Sequence, residues 1–294
     1  GLPELLGALM SVLRVATINV WNKSGPWPSR LPLIRRELER LQPEVVGLQE
    51  VLRFRPDSAA EAPLTVHNDQ LTEIADGLGY QLAYGVASDY GNGLKFGNAV
   101  LSRYPIVAEQ RFQLPGSESG ETRSLLYAQC QTPHGSLPVF VTHLNWKFHQ
   151  GAIRQRQVVF IAERVAELAP IGGPELPPVL MGDFNAAPDA DEIRFLTGLC
   201  ALEQKTVYFA DAWRFAGEGP GYTYDRANHY AAKAREPSRR IDYIFVRGPD
   251  RQFRGEPLRA ELAFNAAEPS GAEPVWPSDH FGVVADLAIT ERRF

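Results

Sequence analysis

Residues 177–185, Pro-Pro-Val-Leu-Met-Gly-Asp-Phe-Asn, pass from apolar to polar within a few positions. The apolar run is too short for a buried helix and reads as a strand covered on both faces. Such a strand belongs inside a layered structure. Its tip delivers Asp183 and Asn185, which lie two residues apart and therefore on one side.

The same pattern recurs along the chain. Residues 12–20 read as a strand with Val15, Thr17 and Asn19 on one side. Residues 44–51 read as a second strand, with Val46, Leu48 and Glu50 sharing a side and Glu50 closing it. Residues 98–103 form a third, stopped by Pro105. Residues 125–131 and 139–145 pair around the turn Thr132-Pro133-His134-Gly135. Residues 241–246 and 281–289 supply late strands. Helical spacing lies between these runs. Leu31, Ile34, Leu38 and Leu41 recur on one face, with Ser29 as cap and Pro43 as stop. Residues 69–79 read as a short helix and 152–169 as a long one, and another begins after Asp189. This alternation predicts an α/β fold.

The chain of 294 residues is 44% hydrophobic, without repeats or composition shifts, which predicts one domain with a sizeable core. We expect it to span residues 12–294 after an N-terminal extension, residues 1–11, in which Met10 is a candidate start. The extension lacks a basic opening and makes a poor signal peptide, and no run is long enough to span a bilayer. A cytoplasmic location is the default expectation, with secretion as the alternative. The net charge of -5 argues against a generic polyanion binder but not against a local basic cleft. Cys130 and Cys200 are far apart and lack metal-ligand spacing, which argues against disulfide or zinc-thiolate chemistry.

Polar residues collect where strands stop: Asn19, Glu50, His143 with Asn145, Asp183 with Asn185, Asp242, and Asp279 with His280. Each alone has an ordinary explanation as a turn residue, a cap or a satisfied core group. Together they suit one chemistry. Hard divalent ions take oxygen ligands, and magnesium uses one or two carboxylates plus waters and substrate phosphate. Glu50 and a nearby Asp supply the carboxylates. Amides such as Asn19 and Asn185 orient a phosphate without repelling it. A histidine moves protons near neutrality, with a carboxylate fixing its tautomer. The set points to metal-assisted attack of water on phosphorus.

Seven blocks carry a family resemblance: residues 14–22 (RVATINVWN), 45–51 (VVGLQEV), 97–106 (GNAVLSRYPI), 141–146 (VTHLNW), 180–189 (LMGDFNAAPD), 239–246 (RRIDYIFV) and 278–287 (SDHFGVVADL). In this order they resemble the signature blocks of the endonuclease/exonuclease/phosphatase superfamily, over nearly the whole chain. The resemblance implies a four-layer α/β sandwich: two mixed β-sheets packed face to face, helices outside, the site at the strand tips. It implies Glu50 as principal metal ligand with Asn19 beside it, and Asp279 as a further metal-side acid. Mg2+ is the expected ion, with Mn2+ or Ca2+ as alternatives. Asp183 would orient or deprotonate the attacking water, and Asn185 would hold the phosphate. His280 would act as base or acid with Asp242 as its partner, Asp183 remaining the competitor for the base. His143 would stabilise charge on phosphorus or protonate the leaving group. Arg123, Asn145 and Asn228 are the substrate-binding candidates.

The first block reads Asn-Val-Trp-Asn-Lys, and His143 is present. Both features resemble the branch of deoxyribonucleases, sphingomyelinases and inositol-polyphosphate phosphatases rather than the abasic-site repair branch. A phosphate ester is the expected substrate, on a small molecule or lipid headgroup. A nuclease and an inactive binding module are the alternatives, nucleic acid being less favoured; the oligomeric state is open. Trp27, Trp146 and Phe148 are candidates for substrate contact, with packing over the core as the ordinary reading. The loop before Asp242 nominates Tyr224, Lys233 and Arg235 for substrate selection.

Overall fold

A computed structural model describes residues 11–54, 69–248 and 250–290. Apart from Ser11, the expected N-terminal extension, including Met10, lies outside the described residues.

Two six-stranded sheets form the frame. The first contains β1 (Val12–Asn19), β2 (Val45–Phe54), β3 (Gln81–Gly91), β4 (Leu94–Ser102), β11 (Pro257–Ala263) and β12 (Gly282–Ala288), in the order β11-β12-β1-β2-β4-β3. The second contains β5 (Ile106–Gln113), β6 (Ser124–Thr132), β7 (Gly135–His143), β8 (Val179–Asp183), β9 (Phe209–Asp211) and β10 (Asp242–Arg247), in the order β5-β6-β7-β8-β10-β9. Each is mixed: β1 pairs with β2, and β7 with β8, in parallel, while the other pairs are antiparallel.

Period-two alternation divides the strand side chains among three cores. Val15, Val45, Val139, Val141, Val179, Met181, Ile244, Val246 and Val283 fill the space between the sheets. Their neighbours Ala16, Ile18, Val46 and Leu48 face outward beneath the helices α1 (Trp27–Leu41) and α2 (Gln70–Ala75). On the second sheet Phe140, Leu180, Phe184, Tyr243 and Phe245 pack beneath α3 (Gly151–Leu168) and α4 (Asp191–Leu196). The architecture is the expected four-layer α/β sandwich. Two short helices, α5 (Ala212–Ala216) and α6 (His229–Ala232), punctuate the long excursion from β9 to β10.

Four strands lie outside the sequence-based reading: β3, β5, β9 and β11. They are the four sheet edges. Ser29 is not the cap of α1. The helix starts earlier, behind Pro26, and Ser29 donates its backbone N–H to the Pro26 carbonyl at 2.9 Å. The ends of the central strands matter more, because register brings them together. At β8, Gly182 adopts φ +147°, and a Cβ there would lie 1.9 Å from the Thr142 carbonyl oxygen on β7. Only glycine lets β7 and β8 pair up to their tips. Gly182→Ala is therefore expected to lower stability by more than about 2 kcal/mol in urea unfolding. Wild-type stability in that variant would show that the tip tolerates separation.

Candidate active site

Strand register sets the floor of the site. His143 ends β7 level with Asp183 at the end of β8, and Asp183 is level with Asp242 at the start of β10. They continue the faces of Val141, Met181 and Ile244, so all three point between the sheets at one open end. Asn19, ending β1 on the face of Val15, meets them from the opposite sheet. Its Nδ2 donates to Asp183 Oδ2 at 3.0 Å and to Glu50 Oε1 at 3.1 Å. His280 arrives from the segment that enters β12.

Glu50 is placed differently from the expectation. Its strand runs on to Phe54, and simple alternation would send Glu50 outward with Val46 and Leu48. The β2–β4 register shifts between Leu48 and Val51, and Glu50 takes φ +56°. This bulge re-aims its carboxylate into the site. There Asn22 Nδ2 donates to Glu50 Oε2 at 3.1 Å.

Asp183 is the most connected group. Its Oδ1 accepts the backbone N–H of Asn185 at 2.9 Å. Its Oδ2 lies 3.4 Å from His143 Nε2 and 3.6 Å from His280 Nε2. Burial, with the nearby Asp242 charge adding to it, pushes the Asp183 carboxyl up to about 7. The two histidines differ in their other nitrogen. His280 Nδ1 meets Asp242 Oδ2 at 2.9 Å. Burial alone would lower His280, but the Asp242, Asp183 and Asp279 carboxylates outweigh it and hold it well above the ordinary histidine range. His143 Nδ1 instead lies 2.9 Å from Arg123 Nη1. A guanidinium only donates, so Nδ1 must accept and the proton sits on Nε2. Burial and then the Arg123 charge hold His143 well below its usual value, as a neutral ring.

Asp279 is pushed up to about 6 by burial, with Glu50 raising it and His280 and Arg30 opposing. Glu50 and Asp279 thus converge on one side of the cleft. The cleft has a volume of about 450 Å³, and Trp21, Phe96, Arg123, Trp146, Tyr224 and Arg239 form much of its wall beside the acids and histidines. Trp146 and Phe148 are exposed near Arg239, whose guanidinium lies over the Phe148 ring at 4.4 Å.

Not every expected residue reaches the cleft. Asn145 is buried with both amide atoms engaged: Nδ2 donates to Ser119 Oγ at 2.9 Å, and Oδ1 accepts from Gln157 Nε2 at 3.0 Å. It ties a loop to α3 rather than facing substrate. Asn228 is likewise buried, capping α6 through Tyr230 N–H and donating to the Ser278 carbonyl at 2.7 Å. It braces the segment that carries Asp279 and His280. Trp27 packs into the outer core from the first turn of α1 and donates to Glu73, while Lys233 and Arg235 are absent from the cleft lining. Sequence reasoning missed Arg30, Asn22 and Phe96, and it marks Arg239 only as part of a basic cluster with Arg235 and Arg240. Asn22 follows Asn19 within the first block, a signal that was there to read; Arg30 carried none.

The chain belongs to the endonuclease/exonuclease/phosphatase family, whose match extends over residues 16–280. Members of that family are divalent-metal-dependent phosphoester hydrolases. An uncharacterized protein of Escherichia coli K12, YbhP, is 33% identical over 178 residues, which span 58% of this chain and 66% of that relative, just under two thirds. Among solved structures, a Bacteroides vulgatus endonuclease/exonuclease/phosphatase superposes with a TM-score of 0.70 at 21% identity, covering 95% of this chain and 100% of the other. D. rerio TDP2 in complex with single-strand DNA product also gives 0.70 at 21% identity, covering 94% and 99%. Both share the fold. No helix among the described residues is long and apolar enough to cross a membrane.

The titrating cluster has a consequence for stability. Above pH 6.5 the unfolded chain has released the protons of these Asp and His side chains, whereas the folded chain retains one on His280 and, up to about 7, one on Asp183. The folded state then binds more protons, so stability falls as pH rises. His143, neutral when folded, works the other way only below pH 6.5. In EDTA, the melting temperature should fall between pH 6.5 and 8.5, and Asp183→Asn should flatten that fall. A melting temperature that rises across this range in calorimetry would contradict the assignment.

Proposed function

We propose that this chain is a divalent-metal-dependent phosphodiesterase or phosphatase acting on a small-molecule or lipid-headgroup phosphate ester. One observation carries the reading: Asp183 Oδ2 lies within 3.6 Å of two histidine Nε2 atoms whose second nitrogens face opposite charges. This is a site with one fixed N–H donor and one proton carrier.

Each residue then has a role that follows from its contacts. Asp242 holds His280 through Nδ1, leaving Nε2 to exchange a proton at the reacting oxygen. Asp183, with its raised affinity for a proton, orients the attacking water and competes for the base role. His143 presents a neutral Nε2–H toward a non-bridging phosphate oxygen, where negative charge grows. Asn185 lines the cleft and anchors its Nδ2 on the Leu144 carbonyl at 2.9 Å, which leaves one Nδ2 hydrogen for a phosphate oxygen. Arg123 fixes His143 and borders the cleft, so it serves the phosphate mainly through that ring.

Glu50 and Asp279 fit a divalent ion. They face each other closely enough for Glu50 to raise Asp279, and the neighbouring Arg30 is spent on backbone carbonyls. Asn19 orients their side of the site: its Oδ1 already accepts from Trp21 N–H at 2.9 Å, leaving one lone pair for a ligand. Asp183, Asp242 and His280 also cluster within 4.8 Å, close enough to hold a cation. We assign that trio to proton transfer because His280 Nδ1 and Asp242 Oδ2 are already joined through a proton. A bound divalent ion would supply Lewis-acid polarisation of the phosphate.

A nuclease reading draws on the exposed Trp146 and Phe148 near the cleft, where bases could stack. Hydrolysis of bis(p-nitrophenyl) phosphate and p-nitrophenyl phosphate with Mg2+, Mn2+, Ca2+ or EDTA tests the proposal. We expect metal-dependent release, reduced about 10²–10⁴-fold in His280→Ala. Release within threefold of wild type in that variant would place the base elsewhere. Glu50→Gln should raise the metal concentration needed for half-maximal rate, and an unchanged metal titration would remove Glu50 from the metal site. Salt-sensitive DNA cleavage that outpaces the small diester would favour the nuclease.

A further inference from the structure

Arg30 lies on the buried face of α1, fully inaccessible to solvent. Its guanidinium meets five backbone carbonyls. Nη1 donates to Val20 at 2.9 Å and to Pro277 at 2.8 Å. Nη2 donates to Trp21 at 3.3 Å, Asn22 at 2.9 Å and Ser24 at 2.8 Å, and Nε also reaches Ser24 at 3.1 Å. The rings of Trp21 and Trp27 lie 4.9 and 5.0 Å from the charge centre. Among the described residues no carboxylate pairs with it, and burial lowers it to about 10. A buried, unpaired cation is costly unless its donors are fully used. Here they are used on loops.

Those loops hold the two sides of the metal end. Residues 20–24 follow Asn19 and contain Asn22, the two amides that hydrogen-bond the Glu50 carboxylate. Pro277 directly precedes Ser278, Asp279 and His280. A second tie runs in parallel, from Ser278 Oγ to the Asn19 carbonyl at 2.6 Å. The Trp21 and Asn22 backbones take the left-handed conformation, with φ of 57° and 41°, which a short loop holds only when something over-determines it.

We propose that Arg30 is a positioning residue that sets the spacing between Glu50 and Asp279, and so the affinity of the site for a divalent cation. This rests on the assignment of those two acids to the metal. Arg30 acts through backbone and touches neither substrate nor ion. Its charge and its geometry make opposite predictions. As a bare positive charge beside Glu50 and Asp279 it would repel a cation, so its removal would tighten binding. As a strap, its removal loosens the two carboxylates and weakens binding.

The test titrates metal-free wild type, Arg30→Lys, Arg30→Met and Ser278→Ala with Mg2+ and Mn2+ alone, by calorimetry and by intrinsic tryptophan fluorescence, then measures kcat at saturating metal. Lys keeps the charge but cannot span the carbonyls. We expect both Arg30 variants to bind metal about 10–100-fold more weakly, as loss of an outer support does elsewhere. Turnover at saturating metal should recover to within about threefold of wild type, since the strap is away from the reacting atoms. Ser278→Ala, a smaller change that keeps Arg30, should weaken metal binding in the same direction and covers the case in which Arg30→Met does not fold. Arg30→Lys equal to wild type, or Arg30→Met binding more tightly, would overturn the strap. Failure of wild type to bind either metal would overturn the metal assignment and this proposal with it, a result distinguishable from variants that bind as wild type does.

Discussion

The carboxylate of Asp183 is where the two sheets meet through polar contacts. Between the sheets the core is apolar, with one further buried tie where Asn98 Nδ2 on β4 donates to the Ser124 carbonyl on β6 at 3.0 Å. At the open end Asp183 accepts from Asn19 of one sheet and from the Asn185 backbone of its own, with both histidines close by. A buried carboxylate needs such donors. The consequence is that at this end the distance between the sheets and the geometry of the site are set by the same hydrogen bonds.

That dependence explains why strand ends carry so much of the site. His143, Asp183 and Asp242 stand side by side because β7, β8 and β10 are neighbours in register. No loop has to be held still to bring them together. The loop contributions, Asn22 and the Asp279–His280 segment, are instead braced by buried side chains: Arg30 and Ser278 from one direction, Asn228 from another. Rigid strands supply His143, Asp183 and Asp242, and strapped loops complete the cleft with Asn22, Asp279 and His280.

The central strands were legible because each must be apolar on both faces. All eight read from the sequence are interior strands, and the four missed ones, β3, β5, β9 and β11, are the edges. An edge strand such as β5, Ile-Val-Ala-Glu-Gln-Arg-Phe-Gln, is mostly exposed and keeps no apolar run to find. Period-two arithmetic placed Asp183 and His143 correctly for the same reason that it misplaced Glu50. It holds while the strand is regular, and at Glu50 a bulge and a left-handed residue reverse the side. Asn145 and Asn228 were nominated by residue type and neighbourhood, but an amide also makes a good internal tie, and both are used that way. Arg30 was invisible because its partners are backbone carbonyls, which leave no mark in side-chain sequence.

The two histidines show how one residue type acquires two chemistries from its second neighbour. Both turn Nε2 toward the same carboxylate oxygen, and both are buried. Burial alone would make each a neutral ring. Behind His280 stands Asp242, an acceptor with one further oxygen that has no partner among the described residues. That carboxylate stabilises imidazolium, so His280 takes up a proton readily. Behind His143 stands Arg123, a donor, itself held by Glu121 at 3.2 Å. Imidazolium there would set two cations against each other, so His143 keeps a fixed N–H and does not gain a second. Under the proposed function the pair would divide the work at a phosphorus centre, one ring carrying the proton and the other steadying the charge left behind. Exchanging Asp242 and Arg123 in thought exchanges the roles, which places the chemistry in the second neighbours as much as in the rings.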